Sequence, residues 1–188
     1  MNLKKLTLVS ALLASSLFAG NYNVDASHSN MGFKIKHMMI SNVKGSFDEF
    51  KGSFEYDEKT NVLKSLNGQI TVDSINTADK KRDAHLKAEE LFSAKKFPKI
   101  NFKLTKVDGD LAYGDITMKG ITKNIKLELE NGGTVKDPWG NERAGFALSG
   151  KINRKDFGIS WNKVLEAGGV AVGEIVKLDI EVEGIKAK

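Results

Sequence analysis

The chain has 188 residues, no cysteine, and 29 Lys and Arg against 24 Asp and Glu, which gives a formal charge of +5. Without cysteine no disulfide framework is available, so the fold must rest on the packing of its own core. Basic and acidic residues alternate along the chain without a basic run longer than two or three. This pattern predicts a solvated outer face and argues against a nucleic-acid footprint.

Residues 1–19 are typical of a secretory signal peptide. Two lysines lie near the start, the stretch from Leu6 to Phe18 carries no charge, and Ala19 and Gly20 are small. The uncharged stretch is too short to span a membrane, although an N-terminal anchor is the alternative. We predict cleavage after Ala19, export to the periplasm and a single domain over residues 20–188.

The mature chain begins with residues that alternate between apolar and charged, as on a half-buried strand. Phe33 and Ile35 alternate with lysines in the first such stretch. Val43–Asp57 is predicted as one long strand. Phe47 and Phe50 are three positions apart within it, so the two-residue period slips, and a bulge or sharp bend is expected between them.

The passage Thr77–Phe102 is the exception and is predicted to be helical. Asn76 and Thr77 can cap the start of a helix, and Asp79 would lie in its first turn. The residues that follow are good or fair helix formers, and Pro98 ends the run. One helix, or two short helices in series, is therefore inserted between strands.

The strand pattern holds before and after this insert and is interrupted by short turns. The further strands are predicted around Leu66–Val72, Lys99–Val107, Leu111–Met118, Ile125–Leu129, Arg143–Asn153 and Val172–Val182. About eight strands with one apolar face each predict an all-β fold, an antiparallel barrel that leaves no unpaired edge. The interior of such a barrel either fills with side chains or holds one small ligand.

Six short motifs follow one another along the chain. They are Asp25-x-x-His28-Ser29 with Phe33 and His37; Gly45-x-Phe47 with Gly52; Arg82-Asp83-Ala84-His85-Leu86; Phe97-Pro98-x-Ile100-x-Phe102; Gly114 to Lys123; and Asn153 to Ile159. In order and spacing they resemble the YceI-like family, also called the polyisoprenoid-binding family, over Asn21 to Lys186. The resemblance implies an exported, extended, lipocalin-like barrel of eight strands. It also implies that the barrel holds a long apolar chain, such as a polyisoprenoid or a fatty-acid-type lipid.

A tunnel for such a chain needs aromatic and aliphatic walls, and twelve residues are predicted to supply ligand contacts. They are Phe33, Ile35, His37, Phe47, Phe50, Phe54, Ile70, Phe102, Met118, Leu127, Trp161 and Leu178. From the pattern alone, a packed core without a cavity is the favoured interpretation of the same residues. The resemblance favours the cavity.

The three histidines, His28, His37 and His85, have no spacing typical of a metal site or a zinc hydrolase. We predict no catalytic residue, no metal and no cofactor. In this interpretation His28, Ser29, Asp83 and His85 fix the barrel end and the helical insert by hydrogen bonds.

The sequence therefore predicts a non-enzymatic periplasmic protein that sequesters or carries a long-chain isoprenoid or fatty-acyl-type ligand. The alternatives are an enzyme acting on such a lipid with the histidines as acid–base groups, and a protein-interaction module with a filled barrel. Lys80, Lys81, Arg82 and Lys87 predict a solvated helix face, or else a contact for anionic lipid headgroups or a pyrophosphate. Transient contact with a membrane surface and a homodimer both remain open.

Overall fold

The computed structural model of the chain describes residues 19–166 and 168–188. The predicted signal peptide lies outside the described residues, apart from Ala19. The strands are β1 (Ala19–Val24), β2 (Asn30–His37), β3 (Ser41–Phe47), β4 (Phe50–Asp57), β5 (Val62–Thr71), β6 (Ile75–Asn76), β7 (Lys99–Asp108), β8 (Leu111–Met118), β9 (Ile121–Lys136), β10 (Glu142–Asn153) and β11 (Val172–Lys186). One α-helix, α1 (Lys80–Lys87), lies between β6 and β7. No helix in the described ranges has the length and apolar character needed to cross a membrane.

Eight of the strands close an antiparallel barrel, in the order β1-β4-β5-β7-β8-β9-β10-β11. The barrel closes where β1 pairs with the C-terminal end of β11, from Tyr22 opposite Lys186 to Val24 opposite Gly184. The N-terminal half of β11 pairs instead with β2, which continues into β3 and the short β6. The predicted all-β barrel with a helical insert is confirmed, and β2, β3 and β6 extend it at one end, here called the helix end.

The single long strand predicted over residues 43–57 is wrong in one respect, because the structure divides it into β3 and β4. β3 pairs with β2 and β6, whereas β4 pairs with β1 and β5. At the corner, the amide of Asp48 donates to the carbonyl of Ser74 (3.1 Å), outside either ladder. The slip of period between Phe47 and Phe50 is therefore the sharp bend of the two predicted alternatives, and the chain changes its partner strands there.

The predicted helical passage is shorter than expected. Asp79, rather than Asn76 or Thr77, caps α1, since its Oδ1 accepts from the amides of Lys81 (3.0 Å) and Arg82 (3.1 Å). The helix ends at Lys87, and residues 88–97 form successive turns that bury Leu91 and Ala94. Burial of these side chains decides the conformation here, because helix propensity is a weak preference that tertiary packing overrides.

The core consists of two clusters along the barrel. The cluster at the end where β1 closes the barrel, here called the β1 end, contains Tyr22, Phe54, Tyr56, Leu63, Leu66, Leu104, Ala112, Leu127, Leu129, Ala144, Phe146, Leu148 and Val182. The cluster at the helix end contains Phe47, Val72, Ile75, Leu91, Ala94, Ile100, Ile116, Met118, Ile152, Phe157 and Ile159. Tyr22, Phe54 and Phe146 pack against one another at the β1 end, while side chains at the helix end surround a cavity.

Candidate ligand-binding cavity

A cavity of about 290 Å³ lies at the helix end, between the strands and the segment that carries α1. This volume is at the lower limit of ordinary small-molecule sites. Most of the lining is aliphatic or aromatic. Leu86 from α1, together with Leu91 and Phe92 from the turns after it, covers the cavity. The helical insert therefore acts as the cover of the interior, and we call this space the main cavity.

A second, smaller cavity of about 80 Å³ lies deeper in the barrel and is lined almost wholly by apolar side chains. Ile100 and Leu178 line both cavities, so the two spaces are neighbours along the barrel interior. We call the smaller space the inner cavity. The two spaces thus share two wall residues, and apolar side chains line most of both.

The structure divides the twelve predicted wall residues among three locations. The main cavity is lined by Phe33, Ile35, His37, Phe47, Met118, Trp161 and Leu178. The inner cavity is lined by Phe50, Ile70, Phe102, Leu127 and, again, Leu178. Phe54 lines neither, because it stacks on Tyr22 (ring centroids 5.2 Å apart) and meets Phe146 edge-on (5.1 Å) in the core of the β1 end.

Arg154 is the most deeply buried charged residue on the wall of the main cavity, with 5 % of its surface exposed. It begins a 3₁₀ helix over Arg154–Phe157 that is capped by the Asn153 side chain and ended by Gly158 at φ +71°. Its Nε donates to the carbonyl of Gly173 (2.9 Å) and its Nη1 to the carbonyl of Ile159 (2.6 Å). Burial lowers the pKa of the Arg154 guanidinium from its ordinary value.

Arg82 brings a second guanidinium to the same wall, from α1. Its Nε donates to Thr77 Oγ1 (2.8 Å) and its Nη2 to the Thr77 carbonyl (2.7 Å). Asp83 accepts from both the amide (2.9 Å) and the hydroxyl (2.5 Å) of Thr77. As predicted for Asp83, these bonds attach the insert to the chain entering it, and they also fix the position of Arg82.

The three histidines do not converge. His37 and His85 line the main cavity, and His85 packs edge-on against Trp161 with ring centroids 4.7 Å apart. The Nε2 of His85 also lies 3.1 Å from a carboxylate oxygen of Glu90. His28 does not line that cavity and contacts Asp25 instead, with 2.9 Å between Nδ1 and Oδ2. Two histidines are therefore available to a ligand and one belongs to another cluster.

That other cluster lies at the β1 end. Ligand atoms of Asp25, His28 and Glu183 lie within 4.8 Å of one another, as a metal site would require. The guanidinium of Arg143, however, already donates from Nη1 to Asp25 (2.9 Å) and Glu183 (2.5 Å), and from Nε to Asp137 (2.8 Å). Arg143 thus supplies the positive charge that these carboxylates need, and we assign the cluster to the stability of the barrel closure.

Sequence reasoning missed the cationic part of the cavity wall. Arg154 lies within the last of the six motifs, Asn153 to Ile159. An arginine between an asparagine and a lysine, however, gives no periodic signal of burial. Arg82 was predicted as part of a lysine-rich helix face, either solvated or in contact with anionic headgroups or a pyrophosphate, and not as part of the cavity wall. The aromatic cover at Phe92 and the shared wall at Ile100 were also missed as ligand contacts, because a turn and a strand position carry no signal of cavity depth.

The fold and the site together define a closed antiparallel barrel with an apolar interior cavity covered by a helical insert. The profile of the YceI-like domain matches residues 22–184, and the chain belongs to that family. A UPF0312 protein of Staphylococcus aureus (strain N315) is 40 % identical over 166 residues, which are 87 % of this chain and 96 % of the relative.

Solved structures show the same fold. The crystal structure of a Campylobacter jejuni YceI protein has a TM-score of 0.69 and 32 % identity, and the match covers 99 % of this chain and all of the other. A polyisoprenoid-binding domain from Saccharophagus degradans has a TM-score of 0.67 at 15 % identity, covering 88 % and 98 % of the two chains. Burkholderia cenocepacia BcnA has a TM-score of 0.69 at 18 % identity, covering 85 % and 98 %.

Proposed function

We propose that this protein binds one long apolar chain, of the isoprenoid or fatty-acyl kind, inside its barrel, and sequesters or carries it in the periplasm. The observation that carries the proposal is the main cavity, an apolar space that adjoins the inner cavity at Ile100 and Leu178. The S. degradans neighbour, described as polyisoprenoid-binding, supports the class of ligand. The predicted signal peptide supports the location.

An apolar wall suits a carrier because burial of each methylene contributes about 0.8 kcal/mol without any charged contact. Binding costs in orientation and chain ordering reduce that gain substantially. The net affinity therefore rises with chain length and remains reversible, as a carrier requires.

The first test is native mass spectrometry of the mature protein purified from the periplasm, followed by organic extraction of bound material. We expect one long-chain lipid per protein chain, and the same spectrum gives the oligomeric state. Val43 lines the main cavity, so Val43→Trp fills it and should exclude the lipid. Asn42→Trp, on the exposed face of the same strand, is the matched control and should retain it. A wild-type protein that is empty and takes up neither a polyprenol nor a fatty acid in vitro would refute the proposal.

An enzyme acting on the same lipid is the second candidate, and one observation favours it, namely that His37 and His85 both line the main cavity. Replacing each with Gln separates the two functions. A carrier keeps most of its lipid affinity in both variants, whereas an enzyme loses turnover of an added polyprenyl or acyl substrate in at least one.

We further propose that the protein contacts an anionic bilayer through the tip of the β2–β3 hairpin. Met38, Met39 and Ile40 are 43 %, 61 % and 85 % exposed there. Met38 (φ +47°) and Met39 (φ +61°) occupy left-handed positions that Asn and Gly normally fill in such turns. The backbone of both residues is strained, and their apolar side chains are exposed to water. Residues held in such backbone conformations often serve a function.

The surroundings of this tip fit a membrane better than a protein surface. Lys36 and His37, next to it in sequence, line the main cavity, so the tip lies beside the interior. Lys34, Lys36 and Lys44 belong to the same hairpin, and no ion pair found among the described residues includes them. An apolar tip next to unpaired lysines is complementary to acyl chains below anionic headgroups.

Sedimentation with vesicles tests this contact. We expect binding to phosphatidylglycerol vesicles that weakens with added salt, and little binding to phosphatidylcholine vesicles. Equal binding to both, or none to either, would refute the contact without affecting the evidence for an interior lipid.

A further inference from the structure

The methionines of the described residues divide into two that lie inside the barrel and two that lie at its surface. Met118 lines the main cavity and is 7 % exposed, and Met31 lines the inner cavity and is partly buried. Met38 and Met39, in contrast, are neighbours at the tip of the β2–β3 hairpin, with 43 % and 61 % of their surfaces exposed. Of these four side chains, small solutes therefore reach the two at the tip most readily.

The backbone around the tip is fixed by hydrogen bonds. The amide of Met38 donates to the carbonyl of Ala171 (2.8 Å), and the amide of Ile40 donates to the carbonyl of His37 (3.2 Å). Met38 and Met39 occupy the left-handed positions of the turn, at φ +47° and +61°. These hydrogen bonds hold the turn against the residue that precedes β11, with both methionine side chains at the surface.

Exposure matters for methionine because its thioether is chemically reactive. Oxidation converts an accessible thioether to a sulfoxide, which replaces a flexible apolar side chain with a polar one and disrupts methionine-rich contact surfaces. The chain contains no cysteine, so no thiol of the protein competes for the oxidant. Of the described residues, Met38 and Met39 are thus the sulfur sites most open to oxidation.

The proposed bilayer contact depends on the apolar character of these same two side chains. The tip consists of Met38, Met39 and Ile40, in a hairpin that also carries three lysines. Two sulfoxides would leave Ile40 as the one apolar side chain of the tip, while the lysines keep their charge. Such a tip is still attracted to anionic headgroups, but it gains much less from burial among acyl chains.

We infer that Met38 and Met39 form an oxidation-sensitive switch, in which hydrogen peroxide converts both thioethers to sulfoxides and releases the hairpin tip from the bilayer. This inference rests on the proposed bilayer contact and adds its regulation. At each methionine, one oxygen of the peroxide bonds to the sulfur as the O–O bond breaks, and the other oxygen leaves as water. The sulfur loses two electrons and the peroxide gains them. Methionine sulfoxide reductases reverse the change.

The first measurement is the rate of oxidation at each methionine. The mature protein is treated with hydrogen peroxide, and the oxygen added at each site is followed by peptide mass spectrometry. We expect Met39 and Met38 to be oxidised severalfold faster than Met31 and Met118, because reactivity follows exposure. Oxidation of Met118 as fast as the tip would overturn the inference, since the tip would then not be a selective site.

Vesicle sedimentation measures the consequence. Protein oxidised at the tip should bind phosphatidylglycerol vesicles at least about tenfold more weakly than the reduced protein, because burial of one methionine side chain is enough for such a factor. Treatment with both types of methionine sulfoxide reductase, one for each sulfoxide epimer, should restore the binding.

The matched control is the double variant Met38→Leu with Met39→Leu, which keeps an apolar tip of similar size without sulfur. It should bind vesicles as the reduced wild type does, both before and after treatment with peroxide. Loss of its binding after the treatment would show that the effect arises elsewhere in the chain, and the switch would be wrong.

The outcomes separate the switch from the contact that it regulates. Equal vesicle binding by oxidised and reduced wild type would overturn the switch and leave the bilayer contact intact. Reduced protein that binds no vesicles would instead refute the contact, and the switch with it. If the double variant does not fold, recovery of binding after the reductases still decides the question, because only a reversible change at methionine predicts it.

Discussion

Phe54 provides the sharpest test of how the interior divides into core and cavity. It is 2 % exposed, stacks on Tyr22 and meets Phe146 edge-on. Its ring also covers Gly184, where an added Cβ would lie 2.4 Å from Cε1 of Phe54. The side chain is thus enclosed by two aromatic rings and by the backbone at Gly184, and Phe54→Ala should leave a cavity.

Replacing a buried Phe with Ala costs about 3–5 kcal/mol of unfolding free energy. For a domain of this size each kcal/mol lowers the melting temperature by about 2–4 °C, so Phe54→Ala should lower it by about 6–20 °C. Phe33→Ala is the comparison, because Phe33 is only partly buried and lines the main cavity. Phe33→Ala should lower the melting temperature less than Phe54→Ala does, and it should weaken lipid binding more.

Thermal unfolding followed by circular dichroism measures the first effect, and lipid competition at a temperature where both variants are folded measures the second. We expect Phe54→Ala to be the less stable variant and Phe33→Ala the weaker binder. If Phe54→Ala loses as much lipid affinity as Phe33→Ala, or unfolds at the wild-type temperature, the assignment of Phe54 to a closed core is wrong.

Three further predictions concern the hairpin tip, the barrel closure and the cavity. The double change Met38→Asn with Met39→Gly relieves two strained positions, so it should raise the unfolding free energy by about 1 kcal/mol in a denaturant titration. It should also weaken vesicle binding in the sedimentation assay, and unchanged vesicle binding would contradict the proposed membrane contact at the tip. Hydrogen bonds from Arg143 hold the pKa of Asp137 well below its ordinary value of 3.8, so the carboxylate contributes its full stabilisation above that pH and loses it as the pH falls further. The difference in melting temperature between wild type and Asp137→Asn should therefore be constant from pH 5 to 7 and shrink below about pH 4; a difference independent of pH would show that the ion pair contributes nothing. Affinity for fatty acids should rise with each added methylene, by up to about fourfold, and level off once the tail fills the inner cavity; affinity independent of chain length would exclude an interior tail.

Much of the fold followed from local pattern. The two-residue alternation around Phe33 and Ile35 places these side chains inward whatever the strand pairs with, because successive residues of a strand point to opposite faces. Short turns between such stretches favour antiparallel neighbours, and a closed barrel removes unpaired edges. The family resemblance, carried by six motifs in order, was equally available from the sequence alone.

Alternation does not, however, tell how far along the barrel an inward side chain lies. That position depends on strand register and tilt, which are set only when β1 closes against β11. Phe54 and Phe47 both point inward, yet closure places one in a filled core and the other on the wall of the main cavity. For the same reason, the twelve predicted residues could not be divided among the two cavities and the core from the sequence alone.

The helical insert and the buried arginine depended on tertiary structure most of all. Propensity extended the helix beyond Lys87, but the gain from burying Leu91 and Ala94 in turns outweighs a preference of a few tenths of a kcal/mol per residue. Arg154 is buried because the carbonyls of Gly173 and Ile159 meet at its side chain. The sequence by itself thus determined which face of each strand turns inward, and only the closed fold decided what each inward residue touches, because those contacts join segments far apart in the chain.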